Sequence, residues 1–314
     1  MTLFLLKRLG HMAIVLIGVT LVVFALIQLV PGDPVRLAMG TRFDPDVYAA
    51  LRAASGLDRP LVEQYFSYLG NALTGNLGVS FRSGDPVTLL LLARLPATLS
   101  LAIASLVVAG LISFPLGIHS ALNRGKFSDV VVRVISQFGV SVPDFWMGII
   151  LILVFSTTLG WLPPSGYVAI TENPWEWFRR VLLPAITVGT ASGAIMTRYI
   201  RSSVLESLGS DHARTARSKG LPERIVMSRH ILRNALVPVI TVGGVQLAGL
   251  LGGVVVVEVV FAWPGLGRLV YDSVAARDYP VIQGAVLLIA VLFLFINLIV
   301  DIVYAKVDPR IALS

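Results

Sequence analysis

Residues 97–118 read ATLSLAIASLVVAGLISFPLGI, twenty-two consecutive positions without a charged side chain. A helix needs about 20 predominantly apolar residues to cross about 30 Å of hydrocarbon, so Ala97–Ile118 is long enough and apolar enough to be a membrane span. Five other stretches pass the same test: Leu9–Val30, Val134–Gly160, Val181–Thr197, Ala235–Val257 and Val281–Val300. The fourth in chain order, Val181–Thr197, is the weakest, being short and carrying Pro184, Gly189 and Gly193. It is kept because a five-span count breaks the charge pattern described below. Lys7 and Arg8 precede the first run in the manner of a secretory signal. That run exceeds the 7–15 apolar residues of a signal's h-region, and no small-residue cleavage site follows it. It is read as a retained helix.

Composition agrees. The 314 residues are 56% hydrophobic and only 14% charged, with a mean hydropathy of +0.83; soluble domains carry about 25% charge. Forty-three charged residues cannot cover the surface of a soluble protein this long, which excludes a soluble enzyme and a disordered chain. A nucleic-acid binder is disfavoured despite the basic balance of +7. With no cysteine, there is no disulfide framework, thiolate metal site or cysteine nucleophile.

The positive-inside rule orients the spans. With the N-terminus in the cytoplasm, the cytoplasmic pieces hold fifteen Lys/Arg and the two short outer loops hold two each, Arg179 with Arg180 and Arg268 with Arg277. The other six lie in the outer segment 31–96, too long to count in that rule. Both termini are therefore expected in the cytoplasm. The expected organisation is an N-terminus with the first span (1–30), an extracytoplasmic subdomain (31–96) and a core (97–314) containing a long cytoplasmic loop, 198–234.

In the outer subdomain, Asp44-Pro45 pairs an N-cap acceptor with proline at the first helical position. Asp58-Arg59-Pro60 is expected to start a second helix with an apolar stripe of Leu61, Tyr65, Tyr68 and Leu69. Thr74-Gly75-Asn76-Leu77-Gly78 is a turn. Two readings of this subdomain stand open, a cap over the helix ends and a docking surface for a partner.

The 198–234 loop carries eight Lys/Arg against three Asp/Glu. Its pattern is helix, break, helix: one helix through Leu205, Leu208, His212 and Ala216 that stops at Gly220, then a second opened by Pro222. In the second, Ile225, Val226, Ile231 and Leu232 share one side, and Arg224, Arg229 and Arg233 project elsewhere. A short helix held crosswise here can transmit force to a partner; the alternative is an amphipathic helix lying on anionic lipid.

Catalytic and nucleotide motifs are missing. Gly125-Lys126 is followed by Phe127, so no phosphate-binding G-x-x-x-x-G-K-[ST] occurs. His11, His119, His212 and His230 have no metal-ligand spacing, and no metal or cofactor site is expected. Among intramembrane polar residues, Asp144 stands out, because Pro143 frees a backbone carbonyl beside it and an ionised carboxylate in a span needs water or a partner. A cavity-lining role is weighed against one of satisfying local backbone. Asn297 and Asp301 mark the end of the last span. Gly244, Gly249, Gly252 and Gly253 allow close helix contact, Gly249 and Gly253 with G-x-x-x-G spacing. Gln246, Gly249 and Gly253 join Pro143 and Asp144 as candidate residues of a translocation path.

Six short motifs occur in order: Leu29-Val30-Pro31-Gly32-Asp33-Pro34; Gly56-Leu57-Asp58-Arg59-Pro60-Leu61; Arg214-Thr215-Ala216-Arg217-Ser218-Lys219-Gly220-Leu221; Arg229-His230-Ile231-Leu232-Arg233-Asn234-Ala235-Leu236-Val237-Pro238; Phe261-Ala262-Trp263-Pro264-Gly265-Leu266-Gly267; and Asp308-Pro309-Arg310. Together they resemble the inner-membrane permease subunits of ATP-binding-cassette importers, in the dipeptide/oligopeptide/nickel subgroup. The resemblance implies an all-α, type I-like permease of six transmembrane helices that binds no cofactor itself; ATP and Mg belong to partner subunits. It implies three partners: a second six-span permease, making twelve spans per transporter, two ATPase subunits, and an extracytoplasmic binding protein that delivers the solute. It also implies an inner-membrane location. The family's EAA-type coupling loop maps onto Leu205, Leu208, His212, Arg214, Ala216, Arg217, Lys219 and Gly220. Arg214 stands where that motif has glutamate, and the Gly220–Pro238 interval is longer than the general consensus. The subgroup's solutes include dipeptides, oligopeptides, glutathione and nickel chelates. Other classes carried forward are a secondary transporter and a membrane enzyme using Asp144 as acid or base, although one carboxylate without a partner makes a poor active site.

Overall fold

The structure, a computed structural model, describes residues 2–29, 31–39, 43–54 and 56–307. Val30, in the first span and first motif, and the terminal Asp308-Pro309-Arg310 lie outside them. The helices in chain order are α1 (Thr2–Gln28), α2 (Pro34–Met39), α3 (Pro45–Ala54), α4 (Leu61–Leu73), α5 (Val87–Leu122), α6 (Phe127–Ser141) and α7 (Asp144–Leu151), which continues as a π-helical turn over Ile152–Thr158. There follow α8 (Pro174–Gly209), α9 (Asp211–Ser218), α10 (Glu223–Ile225), a second π segment (Val226–Leu232), α11 (Arg233–Gly253), α12 (Val255–Val260), α13 (Leu266–Ala276) and α14 (Tyr279–Val307). Among the described residues the only β-type pairing is the isolated bridge between Val79 and Pro86.

Two compact units divide the chain. The first comprises residues 1–98 and 264–294, the second 99–263 and 295–314, with α5 and α14 running through both. The first unit is assembled by short-range polar chemistry. Asp33 Oδ1 accepts from the N–H groups of Val35 (3.0 Å) and Arg36 (3.1 Å), and Asp44 Oδ1 from those of Asp46 (2.9 Å) and Val47 (3.3 Å). Each aspartate caps a helix whose first residue is proline, the arrangement expected at Asp44-Pro45 and found also at Asp33-Pro34. Asp33 also receives the Tyr48 hydroxyl at 2.9 Å and pairs with Arg52. Burial raises the Asp33 pKa, but the Arg36 N–H, Tyr48 and Arg52 outweigh it and hold the carboxyl below its usual value. Asp58 differs from expectation: it pairs with Arg52 at 2.6 Å instead of capping α4. No side chain caps α4 at Pro60; the Gln64 amide instead donates back to the carbonyls of Leu57 (3.2 Å) and Arg59 (2.8 Å). Farther on, buried Asp278 accepts from the Ser80 hydroxyl and the Phe81 N–H. Val87, Leu91, Leu266, Val281 and Ala285 form a core, where a Cβ on Gly284 would lie 2.7 Å from Val87.

The second unit is built on α8. The segment that is weakest by hydropathy is the best-buried of the long helices. Its glycines are the reason. A Cβ on Gly189 would come within 2.7 Å of Val108 and 2.9 Å of the Ser105 carbonyl, and one on Gly193 within 3.2 Å of the Ala109 backbone. From the other side, a Cβ on Gly139 of α6 would meet Ala194 at 2.9 Å. Small residues let helix backbones approach where lipid supplies no hydrophobic drive.

The third predicted span is not one helix. Val134–Gly160 is divided at Val142-Pro143, where α6 and α7 meet at a 99° bend. Proline lacks an N–H and biases its predecessor to extended backbone; Val142 has ψ 124° and Pro143 ψ 136°. The fifth also departs from expectation: α11 ends at Gly253, short of Val257, and the helical path leading into it bends by 42° about Leu236–Pro238. Among the described residues, four helices (Leu6–Gln28, Val87–Leu122, Pro174–Gly209 and Tyr279–Val303) are individually long and apolar enough to cross a membrane, and the count is six if each bent pair is one span.

Replacing Gly189 by Leu should destabilise the chain by about 1–3 kcal/mol through overpacking, read as a lowered melting temperature in detergent, whereas Gly249→Ala, at a site with open space beside it, should not. Equal melting of the two variants would remove α8 packing as the basis of this unit.

Candidate coupling face and transport path

The predicted single helix from Leu205 to Gly220 is two helices. α8 ends at Gly209, Ser210 is extended (ψ 156°), and α9 starts at Asp211. Serine competes with helical backbone through its own hydroxyl: Ser210 Oγ donates to the Ser207 carbonyl at 2.6 Å and lies 2.9 Å from His212 Nε2. The expected stop at Gly220 is present, with φ +75°. The Gly220 N–H donates to the Arg217 carbonyl (2.9 Å) and the Leu221 N–H to the Ala216 carbonyl (3.4 Å). These two bonds are the Schellman arrangement, which places glycine at the left-handed position.

Eight residues make α9 two-faced. Ala213 and Ala216 are buried, packed with Met196, Ile200, Val204, Val226 and Ile231. Leu205 and Leu208 pack against the same cluster, so they support α9 from beneath and do not belong to its outer surface. His212, Arg214, Arg217, Lys219 and Gly220 are exposed. Arg217 bridges to Glu223 with contacts of 2.8 and 3.1 Å, tying α9 to α10 across the Gly220 turn. That hydrogen bond holds the Glu223 carboxyl below its usual pKa and raises the Arg217 guanidinium. Arg214 lies 3.6 Å from Asp211 and is fully solvated. The second helical stretch is apolar on one side as expected at Val226 and Ile231, but Ile225 is 42% exposed and leaves that side. The π turns through Val226–Leu232 change the phase on which the expectation rested. Ser207 Oγ donates to the Ile231 carbonyl at 3.1 Å, so α8 and the π segment leading into α11 are fastened together directly behind α9.

One constellation in this unit escaped the sequence reading. Asp129, 1% exposed, accepts a two-pronged bond from Arg201 at 2.8 and 2.9 Å, the Ser120 hydroxyl at 2.6 Å and the Gly125 N–H at 3.1 Å. It locks the α5–α6 turn to α8. Its one sequence signal was an aspartate four residues after a turn glycine; nothing local points to Arg201, seventy-two residues away.

The candidate path residues sit at helix ends and on an open face. Asp144 is the first residue of α7, with Pro143 at the cap position. Its carboxylate is half-buried and, among the described residues, makes no hydrogen bond or ion pair. At a helix N-terminus the macrodipole favours a negative charge. Gly148, one turn on, packs 3.0 Å (as Cβ) from the Phe261 ring, holding α7 in place. On α11, Gln246 is half-buried and Gly249 exposed. The close contact expected of this glycine-rich helix falls on Gly244, whose Cβ would meet Val300 of α14, while Gly249 has nothing within 4 Å. Gly253 ends α11. No hydrogen bond joins Asp144 to Gln246 among the described residues.

Known proteins agree with this architecture. Residues 113–313 match the family described as "Binding-protein-dependent transport system inner membrane component", and residues 1–102 match the N-terminal region of the corresponding membrane components. The chain is 43% identical to the di/tripeptide transport system permease protein DppB of Pseudomonas aeruginosa (strain UCBPP-PA14), over 98% of each chain. It is also 43% identical to the glutathione transport system permease protein GsiC of Escherichia coli O6:H1, again over 98% of each. Among solved structures it resembles a chain of the MetNI methionine ABC transporter in inward-facing form, with a TM-score of 0.57 and 18% identity over 70% of this chain and 96% of that one. A second crystal form of that transporter gives 0.54 and 19%, over 71% and 99%.

Asp129→Ala leaves Arg201 without its acceptor in a mostly buried place, and should cost on the order of 3 kcal/mol, measured as loss of thermal stability in detergent. Asp129→Asn should cost less, since it keeps an oxygen for Ser120; no loss in either variant would mark the pair as incidental.

Proposed function

We propose, since the chain belongs to the binding-protein-dependent transport system inner membrane components, that it crosses the membrane six times with both termini in the cytoplasm and imports a peptide-like solute. It is a multi-pass permease subunit of an ABC importer, itself non-catalytic, working with separate ATPase subunits and a binding protein. A second six-span permease and a pair of ATPases complete the assembly in this reading. The identity to a di/tripeptide permease and to a glutathione permease supports small peptides, glutathione included, as the solute class.

The observation that carries the reading is α9. Its inner face is anchored by Ala213 and Ala216, its C-terminus is fixed by the Gly220 cap and the Arg217–Glu223 bridge, and its outer face is basic and free. A partner that moves α9 therefore moves the end of α8 and, through Ser207 and Ile231, the start of α11. ATP binding drives the cycle only by favouring one arrangement of these helices through contacts absent in the other, and α9 is where this chain makes them. His212, Arg214 and Lys219 are the contact residues; Leu205, Leu208 and Ala216 hold the helix against its base.

For the path, Asp144 supplies a carboxylate with no protein cation beside it. An unpaired anion at a helix break suits the ammonium end of a peptide. Pro143 keeps the break open, and Gln246, Gly249 and Gly253 form the opposite, small-residue wall.

Reconstituted with its partner subunits in vesicles, the chain should support uptake of a labelled dipeptide or of glutathione that stops when the ATPases are omitted; uptake that follows a proton gradient alone would defeat the proposal. Gly220→Pro, which removes the N–H bonded to Arg217 and forces φ negative, should abolish solute-coupled ATP hydrolysis while membrane insertion is retained, and unchanged transport would overturn the role of α9. Asp144→Leu should lower uptake about tenfold or more, the loss of one charged hydrogen bond, with ATPase binding unchanged; normal uptake kinetics would remove Asp144 from the path.

A further inference from the structure

The outer part of the first unit contains a cavity of about 480 Å³ that the transport cycle above does not use. One wall is apolar, with Phe24 and Ile27 at the end of α1 and Phe81 and Tyr279 opposite. Another is polar: Arg59, Ser67, Tyr68, Asn71 and Gln283. None of these five side chains is hydrogen-bonded or ion-paired among the described residues. Among the described residues, Arg59 is the sole charged one of the lining, which contains no carboxylate. Burial, with Tyr65 beside it, pushes the Tyr68 phenol up to about 12, so it stays a neutral donor at physiological pH. Donors, one fixed positive charge and no acid favour an anionic oxygen cluster as occupant.

The setting says what carries those oxygens. α4 is amphipathic in the reverse sense of a helix covering a soluble core. Gln64, Ser67, Tyr68 and Asn71, spaced three or four apart on one face, line the cavity. Val62, Phe66 and Leu73 on another are 67%, 64% and 83% exposed. The helix is also low on α1: the Tyr65 hydroxyl lies 3.1 Å from Thr20 Oγ1, and its ring meets Phe24 edge-on at 5.5 Å. Thr20 is eight residues before the end of α1 at Gln28, about 12 Å along the axis. If α1 crosses the bilayer as proposed above, α4 lies at outer-leaflet depth, with its apolar face among acyl chains and the cavity beside it at headgroup level.

We infer that this cavity binds the phosphate headgroup of an anionic phospholipid from the outer leaflet, with Arg59 and the Tyr68, Ser67 and Asn71 donors on its oxygens and the acyl chains running along the outer face of α4. The inference rests on α1 being a span with 31–96 outside.

Native mass spectrometry of the full chain in neutral detergent, titrated with dioleoylphosphatidylglycerol, tests it. One lipid should be retained, Arg59→Gln should weaken its retention about tenfold or more, Asn71→Leu should also weaken it, and Arg82→Gln, an exposed arginine outside the cavity, should leave it unchanged. Equal retention in all three variants overturns the site. Displacement of the lipid by glycerophosphoglycerol or inorganic phosphate at equal concentration assigns a soluble anion and overturns the lipid, as displacement by alanyl-alanine would in favour of a solute subsite. Because the chain has no cysteine, Phe66→Cys with a fluorophore reports depth: quenching by doxyl-labelled lipid is expected, and its absence overturns the placement of α4. Asp46→Cys, labelled in cells by a membrane-impermeant maleimide, checks sidedness separately, so an error in topology is distinguishable from an empty cavity.

Discussion

The closeness with which other helices can approach α8 governs the second unit. At Gly189 and Gly193 the backbone of α5 lies where any side chain would intrude, and at Ala194 the helix meets Gly139 of α6. Inside a bilayer the hydrophobic effect does not drive helix to helix, so close van der Waals contact and satisfied backbone must hold the assembly. The same glycines that lower the hydropathy of this segment make it the central post. Here a low hydropathy score goes with the long helix that is most buried within the chain.

Much of the design was legible because it rests on local chemistry. The Asp-Pro cap at Asp44 and the left-handed glycine at 220 need only near neighbours, and each forms as the residues dictate. What failed was phase and partnership. The π turns at Ile152–Thr158 and Val226–Leu232 carry no residue signature, so the periodicity that put Ile225 with Val226 went astray. Asp58 lies two residues before Pro60, not directly before it as Asp33 and Asp44 lie before their prolines, and it pairs with Arg52, a guanidinium being a stronger partner than neutral backbone. The Asp129–Arg201 clamp was out of reach because its members belong to different helices. Pro143 was seen as freeing a carbonyl within a helix, yet with Val142 it ends one helix and begins another.

The candidate sites divide in the same way. Fixing α9 takes the Gly220 cap and two small residues, of which the sequence points to Ala216 but not to Ala213. The candidate path residues rest on polarity at Asp144 and on glycine spacing at Gly249 and Gly253; Asp144 starts a helix and Gly249 lies beside open space. In the proposed assembly such surfaces would face a second permease, so the candidate path residues need not touch one another.

The length of α8 lets a displacement at one of its ends reappear at the other. Thirty-six residues extend about 54 Å, well beyond the roughly 30 Å of hydrocarbon. A rigid rod of that length pivoting about its middle by about 10° moves each tip by about 5 Å, roughly one helical turn. With α9 fixed to one tip, a small displacement there becomes an opposite displacement of the far end, near Asn173 and the exposed Trp175. In the proposed cycle, opening on one side and closing on the other would then be one rotation of one rod, with no signal passed from residue to residue.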